Sequence, residues 1–290
     1  MINSKTYSTE AYLLGFISIA AFAATLPLAK NLVGDLSGLQ IGIYRSFIAA
    51  LVALPIVLLA KLSFPSRSQI KKLYITSIGI IYGFPILTAV GMQYVPISHG
   101  GVVLAAAPIC TSIFSVIITG QKQSLKFWFL ATLGLLIVSG YVVYSSEDFY
   151  FYMGDIALIG AAILAGLGYA QGGALSSEMS GWKVMCWVLV LNLPVLLVFS
   201  FLIFEPTDTD LTAVGWSSIL FLALVNSLIG FFSWNRALTL GGIAKISQLQ
   251  LLQVFITFGY AVFFFNEIWD WVTVTAFTLI VLIVYLSKRS

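Results

Sequence analysis

The chain of 290 residues is 60% hydrophobic and only 9% charged, with a mean hydropathy of +1.03, too little charge to coat a soluble domain of this size. Its net charge of +3 sits in short linkers between apolar runs, which argues against a nucleic-acid partner and for an orientation signal in a lipid bilayer. Cys110 and Cys186 lie inside apolar runs with no CxxC or His neighbour, so they read as small packing residues rather than redox or metal groups.

A polar tail precedes the first apolar span, 11–30. The tail carries one basic residue, Lys5, and no small-residue cleavage site, so a retained helix is expected rather than a signal peptide. Further spans fall near 39–60, 72–93, 98–120, 125–144, 155–177, 183–204, 214–236, 243–265 and 271–286. Each is close to the roughly 20 residues that cross a hydrocarbon core about 30 Å thick. Lipid cannot satisfy an open backbone and the spans are too long for barrel strands, so an all-α integral membrane protein is expected. The linkers are short; the most polar are SFPSRSQIKK, SSEDFYFYMGD and EPTDTD, and none is long enough for a soluble domain.

The stretches 89–121 and 235–267 resemble each other at a constant offset of 146 residues, about half the chain. At that offset Ile97 falls on Ile243, Thr111 on Thr257, Val116 on Val262 and Gln121 on Glu267. Five spans in each half is an odd number, which forces the second half into the bilayer upside down, as in the inverted repeats of many secondary transporters. The expected division is 1–146 and 147–290.

Polar groups within the spans are the candidate functional residues, because they are costly in hydrocarbon and are usually kept inward. Arg45 lies about 9 Å along the second span at about 1.5 Å per residue. Its guanidinium suits bidentate binding of an anionic group, or it snorkels to the headgroups or braces a neighbouring helix. Gln248, Gln250 and Gln253 cluster in the ninth span, and the last two share a helix face. They line a cavity or serve as hydrogen-bonding glue between helices. Asn192, Asn226 and Ser227 are single polar positions for which interhelical bonding is expected. Tyr169 and Gln171 stand in the glycine-rich run GLGYAQGG, where small neighbours allow close approach or leave space. Tyr82 and Thr88 flank Pro85 in the third span. Pro85, Pro27, Pro108 and Pro194 are each expected to bend a helix and free a carbonyl.

Carboxylates keep to the ends of spans: Glu10, Asp155, Glu178, Glu267 and Asp270. No buried proton relay is therefore expected. The lone His99 falls in the turn before the fourth span and is expected to be solvated. No nucleotide cradle or metal-ligand spacing is present in the sequence, and no cofactor is implied.

The segment RSFIAALVALPIVLL, the run 89–121 with Pro108 near its middle, and FFSWNRALTLGGIAKISQLQLLQVFITFGYAVFFFNE resemble the EamA-type members of the drug/metabolite transporter superfamily. Trp234, Asn235, Arg236, Ala237, Leu238, Ala244, Ser247 and Glu267 match the pattern of that family's second repeat. Val254 departs from its usual proline, Asn266 from its glycine and Gln121 from the first repeat's glutamate. The resemblance implies ten helices in two inverted five-helix repeats, a central cavity lined mainly by the first four helices of each repeat, and export or exchange of small metabolites across a bacterial inner membrane.

The candidate solute contacts are Arg45, Tyr82, Thr88, Tyr169, Gln171, Asn226, Trp234, Gln248, Gln250 and Gln253. A cation and amides without a buried carboxylate favour a small-molecule substrate with a carboxylate, most simply an amino acid or related zwitterion. Another solute, such as a nucleoside derivative, a vitamin or a cationic drug, is the second reading. An enzyme would need convergent acid, base or metal ligands in the spans, and a non-transporting subunit would need no polar-lined void. The fifth and tenth spans carry little polar character, so they are expected outside the cavity, against lipid or the second copy of a homodimer.

Lys61, Arg67, Lys71, Lys72, Lys122, Lys126, Lys288 and Arg289 crowd one set of linkers and the C-terminus, while Glu147, Asp148, Glu205, Asp208 and Asp210 fill the alternate set. The positive-inside rule then places both termini in the cytoplasm. Single cysteines at Ser66 and Thr209, in a background lacking Cys110 and Cys186, are expected to be labelled from opposite faces of the membrane. Labelling of both from outside would overturn the topology.

Overall fold

The computed structural model describes residues 4–145, 151–265 and 271–288, and the regular elements in them are helices. Glu147, Asp148, Asn266, Glu267 and Asp270 lie outside the described residues, as does the closing match of Gln121 to Glu267. Helix α1 runs as Ser4–Ala23 and Thr25–Leu32, joined at Ala24. Helix α2 is Gly38–Leu59, and α3 is Arg67–Met92 with a π-helical turn at Ile78–Gly83. Helix α4 is Ile97–Leu104 and Ala107–Thr119, and α5 is Leu125–Ser145. Then come α6, Met153–Leu175, and α7, Gly181–Leu202. Helix α8 is Ala213–Gly241 with a π-helical turn at Phe221–Ile229. Helix α9 runs as Ile243–Ser247, a tight 3₁₀ turn at Gln248–Leu252, and Gln253–Phe265; α10 is Trp271–Lys288.

Among the described residues, eight helices are long and apolar enough to cross a membrane: α1, α2, α3, α4, α6, α7, α8 and α10. Helix α5 contributes a shorter apolar stretch, Leu125–Tyr141, and α9 is interrupted by its 3₁₀ turn. Two of the linkers set helix starts through reciprocal caps. Ser37 and Gln40 cap α2, Ser66 and Gln69 cap α3, and each pair satisfies two backbone N–H groups that the first turn leaves open.

Helix α1 packs on α8 and α3 on α6; α2 packs on α3 and α7 on α8; α4 packs on α6 and α9 on α1. The pairs α2–α7, α4–α9 and α5–α10 also touch. Exchanging the first five helices for the last five maps this set of contacts onto itself. The irregular turns correspond as well. Shifted by the same 146 residues, the π turn at Ile78–Gly83 lands inside Phe221–Ile229, and the join between the two parts of α4 lands in the turn at Gln248–Leu252.

Two prolines free a carbonyl as expected, and in each case a hydroxyl from another helix takes it. Pro27 cannot donate to Ala23 O, which instead accepts from Thr257 Oγ1 at 2.8 Å. Pro85 leaves Ile81 O, which accepts from Ser46 Oγ at 2.9 Å. Pro194, by contrast, lies within the continuous helix Gly181–Leu202 and makes no break there. Pro108 follows the join in α4, yet Val254 occupies the equivalent place after the turn in α9, so that turn forms without a proline.

Close helix contact comes from glycine. A Cβ on Gly79 would stand 2.4 Å from Leu164 O and 2.6 Å from Gly168 Cα, so α3 meets α6 backbone to backbone. Gly166 does the same for α4, where a Cβ would lie 2.6 Å from Cys110 Cβ. The charges at the helix ends pair across the bundle: Lys72 with Glu178, and Arg236 Nη2 with Glu10 Oε1 at 2.6 Å. Both pairs are partly exposed and contribute little stability.

Gly79→Val is expected to force α3 from α6 and to lower the stability of the purified protein by about 1 to 3 kcal/mol, the usual cost of overpacking. Gly140→Val, on α5 where nothing lies within 4 Å of the added Cβ, is expected to leave the melting temperature unchanged. Equal melting of both variants would contradict the backbone contact.

Candidate solute-binding site

Arg45 sits on α2 with only 3% of its surface exposed. Its Nε donates to Ser227 Oγ at 3.0 Å, and Ser227 in turn donates to Leu222 O at 2.9 Å, five residues back in the π turn of α8. Among the described residues no carboxylate forms an ion pair with Arg45. Burying a cation without a counter-ion is expensive, and such groups in membrane proteins mark a place where an anionic group belongs.

Asn226, next to Ser227, donates from Nδ2 to Thr25 Oγ1 at 2.6 Å, just past the join in α1. Its Oδ1 is buried and has no partner among the described residues. Around the same join, Phe22 O accepts from Gln253 Nε2 at 3.3 Å and Ala20 O from Tyr260 Oη at 2.8 Å. Helix α9 therefore grips α1 where α1 has lost its own hydrogen bonding.

Aromatic rings fill the space beside this seam. Phe22 lies 5.2 Å from Phe231 and 6.0 Å from Trp234, centroid to centroid, while Tyr169 lies 5.7 Å from Phe231, 5.8 Å from Trp234 and 6.4 Å from Phe84. Trp234 is fully buried, yet its Nε1–H has no acceptor among the described residues. Arg45 joins this set through Ser227, the chain neighbour of Asn226. The chain thus brings Arg45, Tyr169, Asn226, Trp234 and Gln253 into one continuous region, contributed by α2, α6, α8 and α9 and completed by Phe22 and Thr25 of α1.

The other predicted residues are placed differently. Tyr82 donates to Asn192 Oδ1 at 3.0 Å and so joins α3 to α7. Gln248 donates from Nε2 to Ser112 Oγ at 3.3 Å, beside Ser247, in the α4–α9 seam. Both act as bonds between helices. Thr88 Oγ1, Gln248 Oε1 and Gln250 Oε1 are buried without partners among the described residues, and Gln171 is buried two residues past Tyr169. The expected interhelical roles of Asn192, Asn226 and Ser227 are all observed.

One reading is corrected. His99 is not a solvated turn residue: it lies in the first turn of α4 with 3% exposure, and its Nε2 is 2.7 Å from Asp155 Oδ1. Helix α4 starts at Ile97 after Pro96, which puts His99 in its first turn, where its ring meets Asp155 of α6. Thr25, Phe22 and Phe231 were not singled out in the sequence. The triplet Thr25-Leu26-Pro27 was the available signal, since a proline in a span marks the carbonyls it exposes.

The chain matches the EamA-like transporter family twice, over residues 9–143 and 152–289. The chain belongs to the EamA-like transporter family. It is 32% identical over 282 residues to the uncharacterized transporter YdeK of Bacillus subtilis (strain 168), covering 97% of this chain and 98% of that one. It is also 26% identical over 244 residues to the uncharacterized transporter YyaM of the same organism, covering 81% and 79%. A protein of known crystal structure shares the fold with a TM-score of 0.75 at 15% identity, over 96% of this chain and 97% of that one. This EamA-like transporter is a multi-pass membrane protein, and its family indicates transport rather than catalysis.

If Arg45 of this EamA-like transporter holds the solute through a two-pronged contact, Arg45→Lys keeps the charge and loses the fork. The expected cost is about 1 to 3 kcal/mol, or roughly tenfold or more in solute affinity. Gln253→Ala is expected to reduce transport at an unchanged amount of folded protein. Normal transport by both variants alongside failure of Asn192→Ala would place the site in other helices.

Proposed function

We propose that this protein is a secondary transporter that moves a small carboxylate-bearing solute, an amino acid or related zwitterion, outward across a bacterial inner membrane by alternating access. The observation that carries the reading is Arg45, a buried guanidinium with no carboxylate partner among the described residues, bonded to Ser227, whose chain neighbour Asn226 has a buried Oδ1 without a partner among the described residues. A solute carboxylate supplies the missing counter-ion. Its ammonium group finds a carbonyl oxygen at Asn226, and the ring faces of Tyr169, Phe231 and Trp234 accept an apolar or planar tail at little entropy cost.

The proposed architecture is two inverted five-helix repeats, 1–146 and 147–290, with both termini cytoplasmic. Support comes from the self-mapping helix contacts, the irregular turns at one constant offset, and the two family matches at 9–143 and 152–289. Helices α5 and α10 pack on each other away from Arg45 and leave a groove of about 490 Å³ lined by Ile137, Tyr141, Trp271 and Ala276. Leu136, 62% exposed on α5, fits a surface against lipid or a second copy.

Purified protein in liposomes loaded with a mixture of amino acids is expected to exchange at least one radiolabelled amino acid, and Arg45→Lys is expected to lower its apparent affinity about tenfold. Transport of nucleosides or cationic drugs, with no amino acid moved, would overturn the substrate class.

A further inference from the structure

We infer that the groove where α2, α7 and α8 meet at an acidic linker holds a membrane lipid with a primary ammonium headgroup, the ammonium on Asp208 and an acyl chain against α2 and α7. The inference goes beyond the transport reading and is independent of the solute. The groove encloses about 380 Å³, within the range of roughly 300 to 1,000 Å³ usual for small-molecule sites. Asp208 lines it from the linker between α7 and α8, at the end of the spans, and is 6% exposed. Its Oδ2 accepts from the Glu205 N–H at 3.0 Å and from Tyr44 Oη, while Gln40 Nε2 lies 3.0 Å from both carboxylate oxygens. Among the described residues Oδ1 receives the Gln40 donor alone, which leaves it a lone pair for a further donor.

These donors are neutral, and among the described residues no cation forms an ion pair with Asp208. The linker 203–212 holds no Lys or Arg and adds Glu205 and Asp210. Lys61 and Lys183 stand at the far ends of α2 and α7, and Lys30 is engaged elsewhere, donating to Met92 O at 2.8 Å and Val95 O at 2.9 Å. A buried carboxylate without a counter-ion is costly, so the complementary occupant is a cation. The rest of the wall is hydrocarbon: Leu197, Phe201 and Trp216 are exposed, and Phe47 continues the wall along α2. Ser200, 9% exposed, lines the same wall with its Oγ unpartnered among the described residues. A tryptophan at the start of a span marks the level of lipid headgroups, and Trp216 is the fourth residue of α8. A lipid puts its charge at that level and its chain in the hydrocarbon below, which a soluble amine does not. A primary ammonium donates a hydrogen bond to Oδ1, whereas a quaternary one has no proton to donate, and an anionic headgroup is repelled by Asp208, Glu205 and Asp210.

The full chain is purified and incubated with an equimolar mixture of phosphatidylethanolamine, phosphatidylcholine and phosphatidylglycerol with matched acyl chains. In native mass spectra it is expected to retain phosphatidylethanolamine about tenfold over either other lipid, the value of one charge-assisted hydrogen bond. Asp208→Asn removes the charge and is expected to bring the three lipids to equal retention. Leu197→Trp fills the groove from its exposed wall, leaves the Asp208 contacts alone and is expected to abolish the preference as well. Equal retention by the wild-type protein, a preference for phosphatidylcholine or phosphatidylglycerol, or a preference for phosphatidylethanolamine that survives either substitution would overturn the site. So would a dimer that carries no lipid, which would place a second copy on this face. Should Asp208→Asn fail to fold, Leu197→Trp decides alone. Failure of amino-acid exchange in liposomes bears on the proposed solute and leaves lipid retention unaffected.

Discussion

The constraint on which this structure depends is that hydrocarbon offers no hydrogen bonds, so each interruption of a helix must be answered by another helix. The answers here are specific. The carbonyls of Ala20, Phe22 and Ala23, near the join in α1, are taken by Tyr260, Gln253 and Thr257 of α9, and Ile81 O in α3 is taken by Ser46 of α2. Bends that would cost several kcal/mol as open backbone become the points where helices are registered against one another.

The same constraint explains why Arg45 stands out. The partly exposed ion pairs Lys72–Glu178 and Arg236–Glu10 are satisfied at the helix ends, where water reaches them. Arg45 is inside, held by the Ser227 hydroxyl, which lies in a π turn of α8. A π turn widens the helix by one residue and leaves its groups off the normal ladder, which is why such turns recur at functional sites. The two π turns in α3 and α8 stand on opposite halves at equivalent positions, and glycine contacts such as Gly79 against Gly168 let α3 approach α6 without side chains between them. Helices that meet through smooth glycine surfaces and few polar bonds suit sliding, whereas the polar grips of α9 on α1 suit a rigid pair.

Much of the architecture was legible in the sequence because it depends on short-range properties. Apolar length marks most of the spans, and Pro27 and Pro85 mark carbonyls that another helix takes up. The constant offset between 89–121 and 235–267 was visible through a handful of matches, although the shared π turns were not, since they are set by backbone register rather than residue type. The candidate site was partly legible: a buried arginine, tyrosine or amide is conspicuous in an apolar span. Whether it faces a neighbour or a solute is not, because that depends on which helix lies opposite.

By itself the sequence determined the solvent, the helices and the types of polar group that the bundle must accommodate. Only the tertiary structure decided the partners. Arg45 meets Ser227 across 182 positions, Asn226 meets Thr25 across 201, and Tyr82 meets Asn192 across 110. His99 and Asp155, each unremarkable at the end of a span, become a buried pair because α4 begins at Ile97 and its first turn packs on α6. Periodicity and composition act over a few turns of one helix, while burial and pairing are properties of two surfaces in contact, and no local pattern specifies which two surfaces meet.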